Sequence, residues 1–286
     1  MAYQFLSRQI ELPKAPEEIS NRYTHDQWLM TDAERSALAA LLSKLQPECA
    51  IEVGTYKGGS LGLLAKYCKK VYTLDIDPSF RDEHGHQYAN VEFVVGDSRE
   101  TLPQLIKKIE NSGEKLGFVL IDADHSEQGV RADLNNVLEY TPVCPLYIVM
   151  HDSFNPGCRK GILTANWAEN QYVHFVEADY VVGRFVTKEE GDGYCTMWCG
   201  FALAMLFPER RTRDLIIRQN ESLMFNVAYW FSVHAYQKNW NPFYSVPRVF
   251  RGARKTARRF VTNTLKEYSP VLYTSLKNRR RSTNSR

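Results

Sequence analysis

The sequence predicts an α/β fold in which helices cover both faces of a doubly wound, mostly parallel sheet. Short apolar runs alternate with segments of helical period from residue 31 to about residue 207. These runs are continuous, as in parallel strands that are buried on both faces. Between Cys49 and Pro78 an apolar run, a glycine-rich turn, a helical pattern and a second run ending in Asp75 follow one another. That is the order of a βαβ unit.

Helices are predicted from apolar spacing and from end signals. Thr31 and Glu34 form a capping box ahead of leucines at helical spacing, and Gly113 provides a turn after another amphipathic segment. Aromatic residues at helical spacing from Phe225 to Tyr236 predict a helix packed on the core or in a dimer. The earlier helices are expected at residues 31–45, 61–68, 99–110, 126–140 and 159–170.

Strands are predicted where short apolar runs lie between these helices and end in polar residues. The first five are expected at residues 49–53, 71–74, 91–95, 117–121 and 146–150. Two more are expected at 172–176 and 198–207, on either side of a loop at residues 188–193.

The glycine-rich turn indicates which nucleotide the fold would bind. Asp75 lies 21 positions after Gly54, close to the ~20 expected for an acid that binds ribose hydroxyls. A dinucleotide site requires G-x-G-x-x-G, but this chain has G-T-Y-K-G-G. Glu52, two residues before Gly54, would repel a phosphate and suit an ammonium group. S-adenosylmethionine therefore fits better than NAD.

The stretch E-V-G-T-Y-K-G-G-S, followed by T-L-D-I-D, resembles motifs I and II of class I S-adenosylmethionine-dependent methyltransferases. The resemblance is strongest to small O-methyltransferases, including the catechol, caffeoyl-CoA and macrolide-sugar enzymes. It implies a Rossmann-like methyltransferase fold of seven strands with an antiparallel last strand. It covers roughly residues 28–207, and neither flank belongs to it. We therefore expect a catalytic domain at 31–207, preceded by an N-terminal arm at residues 1–30 and followed by a helical, basic C-terminal extension at 208–286.

The same resemblance implies which residues bind the cofactor. Glu52 would lie near the methionine ammonium, Asp75 would bind the ribose, and Asp97 or Ser98 would reach the adenine. Asp97 and Ser98 are equally suited to cap the helix that follows them. The full expected set is Glu52, Gly54, Thr55, Gly58, Ser60, Asp75, Asp97, Ser98 and Asp122.

The catalytic residues are expected at the ends of strands four and five, where the sequence reads I-D-A-D-H-S and M-H-D-S. In the metal-dependent O-methyltransferases an acid after each of these strands binds magnesium, which implies Asp122 and Asp152 as ligands. The base of that family lies three residues after the first acid, at His125, and histidine suits this work. A helix-terminal, solvent-exposed histidine is the alternative.

His151 precedes Asp152 where the catechol-like pattern has an acid, so its role is open. It is expected either as a third ligand, which suits borderline metals better than magnesium, or as a base or substrate contact in a metal-free enzyme.

Composition restricts the class of protein. The 286 residues are 44% hydrophobic and 24% charged, as in a soluble globular protein. No apolar run approaches the ~18 residues of a spanning helix, and no signal-peptide pattern is present. The six cysteines form no zinc pattern. We therefore expect a cytoplasmic protein with free thiols.

A basic segment follows the enzyme-like part of the chain. Residues 248–286 contain twelve Lys/Arg and one acid, although the net charge of the chain is only +3. Apolar residues from Phe250 to Tyr268 fall on one helical face, as in helices that lie on anionic membranes. A solvated tail without a specific partner is the alternative, and no RNA-binding module accompanies the charge.

These observations predict an S-adenosylmethionine-dependent O-methyltransferase acting on a hydroxyl of a sugar, glycan or secondary metabolite. The expected partners are that acceptor, a membrane face contacted by the basic tail and a second copy of the chain, with no nucleic acid. Two alternatives are an iron-dependent hydroxylase on the same scaffold and a non-catalytic module that docks partners through residues 208–286.

Overall fold

The computed structural model describes residues 29–186, 196–220 and 223–240 of the chain. The chain divides into two compact units, Met1–Tyr236 and Gln237–Arg286, and the site described below lies in the first. Seven helices are present in the described ranges: α1 Asp32–Leu45, α2 Leu61–Tyr67, α3 Pro78–His84, α4 Ser98–Ser112, α5 Glu127–Leu138, α6 Pro156–Leu163 and α7 Leu223–Trp240.

The strands of the described ranges form one large sheet and one small sheet. They are β1 Cys49–Val53, β2 Lys70–Asp75, β3 Val91–Val95, β4 Leu116–Ile121, β5 Leu146–His151, β6 Val173–Val181, β7 Arg184–Val186, β8 Thr196–Trp198, β9 Phe201–Leu206 and β10 Ile216–Arg218. The large sheet has the order β10-β6-β9-β5-β4-β1-β2-β3, and β7 pairs with β8.

The predicted fold class is confirmed. Strands β3, β2, β1, β4 and β5 are parallel, and β9 runs antiparallel to both β5 and β6. These seven strands are the expected set. A short eighth strand, β10, adds to the edge by pairing in parallel with β6.

Two apolar layers, one on each face of the sheet, hold the helices in place. On β1 the side chains of Ile51 and Val53 belong to the layer that contains buried residues of α4, α5 and α6. Ala50 points the other way, into the layer that contains buried residues of α1 and α2. This alternation explains why the strand reads as a continuous apolar run.

The helix expected at residues 159–170 has different bounds. It begins at Pro156 because the side chain of Asn155 accepts hydrogen bonds from the Gly157 and Cys158 amides and caps it. It ends at Leu163, and the following segment turns back so that the Trp167 indole donates to the Ile162 carbonyl. The apolar spacing that suggested a longer helix comes from this turn.

The strand expected at residues 198–207 is divided in two. Cys199 and Gly200 have φ values of 63° and 82°, which no continuous strand accommodates. The chain therefore leaves β8, in the small sheet, and enters β9 in the large one. Helix α3, which the sequence reading did not include, is capped by Asp77.

Helix α7 contains the predicted aromatic helix, and it contacts the rest of the first unit through one face. Its Ser232 hydroxyl accepts a hydrogen bond from the Met197 amide at 2.7 Å. The Arg159 guanidinium lies 5.1 Å and 5.3 Å from the ring centroids of Phe225 and Tyr229. The predicted basic amphipathic helix at residues 250–268 lies outside the described residues. Within the described ranges, no helix combines the length and apolarity needed to cross a membrane.

Candidate active site

A cavity of about 760 Å³ opens at the carboxyl ends of the parallel strands. This is where ligands bind in open α/β sheets, and the volume is that of a small-molecule site. Its wall includes the glycine-rich turn and the ends of β2, β4 and β5. Ten of the expected site residues line it: Gly54, Thr55, Ser60, Asp75, Asp97, Ser98, Asp122, His125, His151 and Asp152.

Gly54 allows two strand ends to meet at closest range. Its φ is +98°, and a Cβ placed there would lie 2.2 Å from the carbonyl oxygen of Asp122. The Asp122 amide donates to the Val53 carbonyl at 2.8 Å. Only a residue without a side chain fits this crossing, so the turn after β1 rests directly on the backbone that carries Asp122.

Asp75 organises the glycine-rich turn from the end of β2. Its Oδ2 accepts hydrogen bonds from the Thr55 and Tyr56 amides at 3.0 and 2.9 Å, and its Oδ1 accepts one from the Asp77 amide at 2.9 Å. A carboxylate offers about four lone-pair positions. One acceptor position on Oδ1 is therefore left for a ligand hydroxyl.

Glu52 and Gly58 do not line the cavity. Glu52 is fully buried behind it, where it accepts hydrogen bonds from the hydroxyls of Ser60 and Thr73, both at 2.6 Å. Burial raises its pKa to about 8, although these two hydrogen bonds oppose the change. Glu52 thus holds Ser60, which does line the cavity, from behind.

Asp97 and Ser98 lie at a helix N-terminus that faces the cavity, and the adenine contact considered for them stays a prediction. The Asp97 carboxylate caps α4 by accepting from the Arg99 amide at 2.9 Å, and Ser98 is the first residue of that helix. Hydrogen bonds from the Arg99 side chain and amide lower the pKa of Asp97 to about 2. Both residues also line the cavity, so capping places them there.

At the other end of the cavity, two histidines and two aspartates meet. His125 Nε2 lies 3.0 Å from Asp152 Oδ2 and 3.8 Å from Asp122 Oδ1. His151 Nδ1 lies 2.7 Å from Asp122 Oδ1 and 3.5 Å from Asp152 Oδ2. His151 and Asp152 are buried, whereas His125 is half-exposed.

The charges of this cluster shift its pKa values. Burial opposes the charged form of His125, but the contacts with Asp122 and Asp152 raise its pKa to about 10. The pKa of Asp152 is lowered to about 2, because the two histidines and the Cys199 amide outweigh the burial of its carboxylate. The Cys199 amide donates to Asp152 Oδ1 at 2.6 Å.

Three residues of the cluster could hold a metal ion. One ligand atom from each of Asp122, His151 and Asp152 lies within 4.8 Å of the others. Two carboxylates and one imidazole suit a divalent ion of hard or borderline character. The donor set therefore fits a divalent ion, although its imidazole suits a borderline ion better than the magnesium that the resemblance implies.

Glu34 belongs to this site, although the sequence reading treated it only as part of a capping box. Its Oε1 lies 3.0 Å from His151 Nε2 and accepts from the Gly200 amide at 2.6 Å. Burial opposes its ionisation, but His151 and Thr31 lower its pKa below the ordinary value. The sequence signal was its position in a capping box ahead of β1. Nothing local indicated that the second carboxylate oxygen reaches residues 151 and 200.

Trp198 and Arg184 were also missed. They are cross-strand neighbours in the small sheet, and both line the cavity. The Trp198 ring meets the His125 ring edge-on, with centroids 5.7 Å apart and an interplanar angle of 70°. Their position depends on the break at Cys199 and Gly200, which turns β8 toward the cavity.

Comparisons with known proteins agree with this geometry. Residues 51–153 match the family model described as a methyltransferase domain. The match runs from β1 to the residues after β5, and so includes the glycine-rich turn and the histidine–aspartate cluster. No curated protein matches the chain in sequence.

Solved methyltransferase structures are similar at low identity. An O-methyltransferase from Bacillus cereus in complex with SAH is 20% identical, with 69% of this chain and 93% of that chain covered and a TM-score of 0.44. The O-methyltransferase TomG from Streptomyces achromogenes, in complex with SAM, is 18% identical, with coverage of 68% and 91% and a TM-score of 0.48. The N-methyltransferase NodS from Bradyrhizobium japonicum, with SAH, is 13% identical, with coverage of 68% and 98% and a TM-score of 0.42. At this level the likenesses say nothing about what this chain methylates.

Proposed function

We propose that this chain, whose residues 51–153 match a methyltransferase domain, is a class I S-adenosylmethionine-dependent methyltransferase that transfers the cofactor's methyl group to a hydroxyl of a sugar, glycan or secondary metabolite. One observation carries the proposal: a single cavity is lined by the Asp75-bound glycine turn and by the His125–Asp122–Asp152 cluster. The turn supplies a cofactor site, and the cluster supplies groups that can take a proton and orient an acceptor.

The cofactor is assigned to the turn by the chemistry of its surfaces. Asp75 would bind the ribose through the open position on Oδ1. The backbone at Gly54 and Thr55, which line the cavity, would allow close approach. Ser60, backed by Glu52, would face the amino acid part of the cofactor, near Asp122, and Asp97 with Ser98 would face the adenine.

The transfer requires an acceptor oxygen aligned with the methyl carbon and the sulfur. That oxygen forms the new C–O bond as the C–S bond breaks, leaving neutral S-adenosylhomocysteine, and the hydroxyl proton goes to His125 Nε2. Nε2 of His125 also faces Asp152 Oδ2 at 3.0 Å, and the two carboxylates raise the pKa of His125 to about 10, so His125 would accept the proton near neutral pH only when a divalent ion balances their charge. A divalent ion held by Asp122, His151 and Asp152 would lower the pKa of the acceptor hydroxyl and balance the charge of the two carboxylates.

Trp198 and Arg184 support a cyclic acceptor with polar substituents. The indole lies beside His125 at the cavity wall, where it can cover one face of a sugar or aromatic ring. Membrane contact through residues 248–286 and self-association stay predictions from the sequence.

The cofactor assignment is tested by calorimetric titration of S-adenosylmethionine into wild type, Asp75→Asn and Asp77→Asn. The two substitutions are chemically identical and lie two residues apart, but only Asp75 lines the cavity. Hydrogen bonds to a charged acceptor contribute ~1.5–3 kcal/mol, so we expect Asp75→Asn to weaken binding by roughly 10- to 150-fold. Asp77→Asn should bind as wild type does. Absence of binding by wild type would refute the proposal.

The base is tested by acceptor screening in single-turnover reactions with His125→Gln, which removes the basic nitrogen and keeps a polar side chain. Once an acceptor is found, we expect methyl transfer to fall by roughly 10²–10⁴-fold with unchanged cofactor affinity. Transfer at the wild-type rate would assign the proton to another group.

A further inference from the structure

Glu34 is a fully buried carboxylate whose two oxygens contact different parts of the protein. Oε2 accepts hydrogen bonds from the amide and hydroxyl of Thr31, at 2.6 and 2.7 Å, and so closes the capping box of α1. Oε1 accepts from the Gly200 amide and lies 3.0 Å from His151 Nε2. A capping box requires only the contacts with the N-cap residue. The contacts of Oε1 therefore need another explanation.

The position of His151 depends on this carboxylate. Nε2 is buried and lies 3.0 Å from Glu34 Oε1, although this contact does not have standard hydrogen-bond geometry. The opposite nitrogen, Nδ1, hydrogen-bonds to Asp122 Oδ1 at 2.7 Å and lies 3.5 Å from Asp152 Oδ2. Because a carboxylate only accepts, a bound cation would take the place of the proton on Nδ1. The Phe201 ring meets the imidazole edge-on, with centroids 5.6 Å apart, and limits its rotation.

We infer that Glu34 is a positioning residue, which directs Nδ1 of His151 toward Asp122 and Asp152 as a ligand for a divalent cation; this inference rests on the proposed function. Histidines that bind metals generally direct their other ring nitrogen to a carboxylate or carbonyl, and this fixes the tautomer that leaves a lone pair for the ion. The Glu34–His151 pair provides that arrangement. The two carboxylates of the set suit Mn²⁺, which serves as the test ion.

Replacing Glu34 by Gln has an outcome that helix capping alone does not explain. An amide has one oxygen and one NH₂ group, so it cannot accept hydrogen bonds from Thr31 and from Gly200 and His151 at the same time. With its oxygen toward Thr31, the amide directs NH₂ at Nε2. Nε2 must then accept a hydrogen bond, so His151 keeps the proton that Nδ1 donates to Asp122, and a metal would have to displace it.

The test measures Mn²⁺ affinity directly, from the loss of the free-ion signal in electron paramagnetic resonance, on the full chain. We expect Glu34→Gln to weaken Mn²⁺ binding by about 10- to 100-fold. The matched control is Thr31→Ala, which breaks the same capping box and leaves Oε1 in place. It should lower stability by about 1 kcal/mol and leave Mn²⁺ affinity unchanged. Urea unfolding of both variants records the stability change separately.

If Glu34→Gln does not fold, Glu34→Asp is measured instead. It keeps the charge near Thr31 but withdraws it from His151 by one methylene, so the same loss of Mn²⁺ affinity is expected. Equal affinity of wild type and either Glu34 variant, or no Mn²⁺ binding by wild type, would overturn the inference. S-adenosylmethionine titration of the same samples keeps the two proposals apart, because it reports the cofactor site without the metal.

Discussion

The close approach of two strand ends at Gly54 leads to a prediction whose magnitude follows from the structure. In Gly54→Ala the new methyl group would lie 2.2 Å from the Asp122 carbonyl oxygen, 2.7 Å from its carbon and 3.0 Å from the Cα of Ala123. All three atoms are backbone, so relief requires the ends of β1 and β4 to separate. Adding atoms to a packed region costs about 1–3 kcal/mol, and positive φ costs a non-glycine residue about 1–2 kcal/mol more. We expect a total loss of about 2–5 kcal/mol.

Gly113→Ala is the matched control, because Gly113 also has a positive φ, of +73°, but nothing lies within 4 Å of the position of its Cβ. It should show the φ cost alone, about 1–2 kcal/mol. Urea unfolding gives both values, and titration with S-adenosylmethionine should show a loss of affinity for Gly54→Ala only. Equal destabilisation by the two substitutions, with cofactor binding retained in both, would refute the idea that the contact with Asp122 is rigid.

Three further predictions concern stability. The first is for Glu52→Gln. In wild type the pKa of the Glu52 carboxyl is about 8, raised from an ordinary value of 4.5. The free energy of unfolding of wild type should therefore fall, relative to that of the variant, by up to ~1.4 kcal/mol per pH unit as pH rises from 5 to 8. Parallel pH dependence in urea unfolding of the two proteins would contradict this. The second is for Arg159→Ala, which leaves the Asp179 carboxylate, 2.7 Å from the guanidinium in wild type, without its buried partner. The free energy of unfolding should fall by about 3–5 kcal/mol, and adding Asp179→Asn should restore part of it. A thermal midpoint of Arg159→Ala near that of wild type would contradict this. The third is for Asn155→Ala, which removes the cap of α6 and should lower the free energy of unfolding by about 0.5–2 kcal/mol. In urea unfolding the midpoint should shift while the slope is unchanged. An unchanged midpoint would mean that water replaces the cap.

Features that depend on the order of neighbouring elements along the chain could be predicted from the sequence. The βαβ unit placed Gly54 and Asp75 together, and the rule that ligands bind at the carboxyl ends of parallel strands brought Asp122, His125 and Asp152 to one edge. These positions agree with the structure because strand, turn and helix signals of a few residues each determine the direction of the chain, while the roles of the residues stay predictions.

Other features depend on contacts between distant residues and could not be predicted in that way. Glu34 reaches Gly200 across 166 positions, and its local signal was already explained by Thr31. Glu52 was expected beside the cofactor. Its carboxylate instead points to the same face of the sheet as Ala50, where α2 covers it. The bend at Cys199 directs Trp198 to the cavity. It requires a positive φ at Cys199, which cannot be predicted from the sequence because non-glycine residues rarely adopt it.

The dual use of Glu34 affects where this enzyme can be shortened. The family match begins at residue 51, and a truncated chain that started at β1 would still contain the glycine-rich turn, both aspartates and both histidines of the cluster. It would lack α1, and the buried Nε2 of His151 and the Gly200 amide would each lose their carboxylate. We therefore expect the smallest functional catalytic domain to extend at least to the start of α1, some twenty residues before the family match begins.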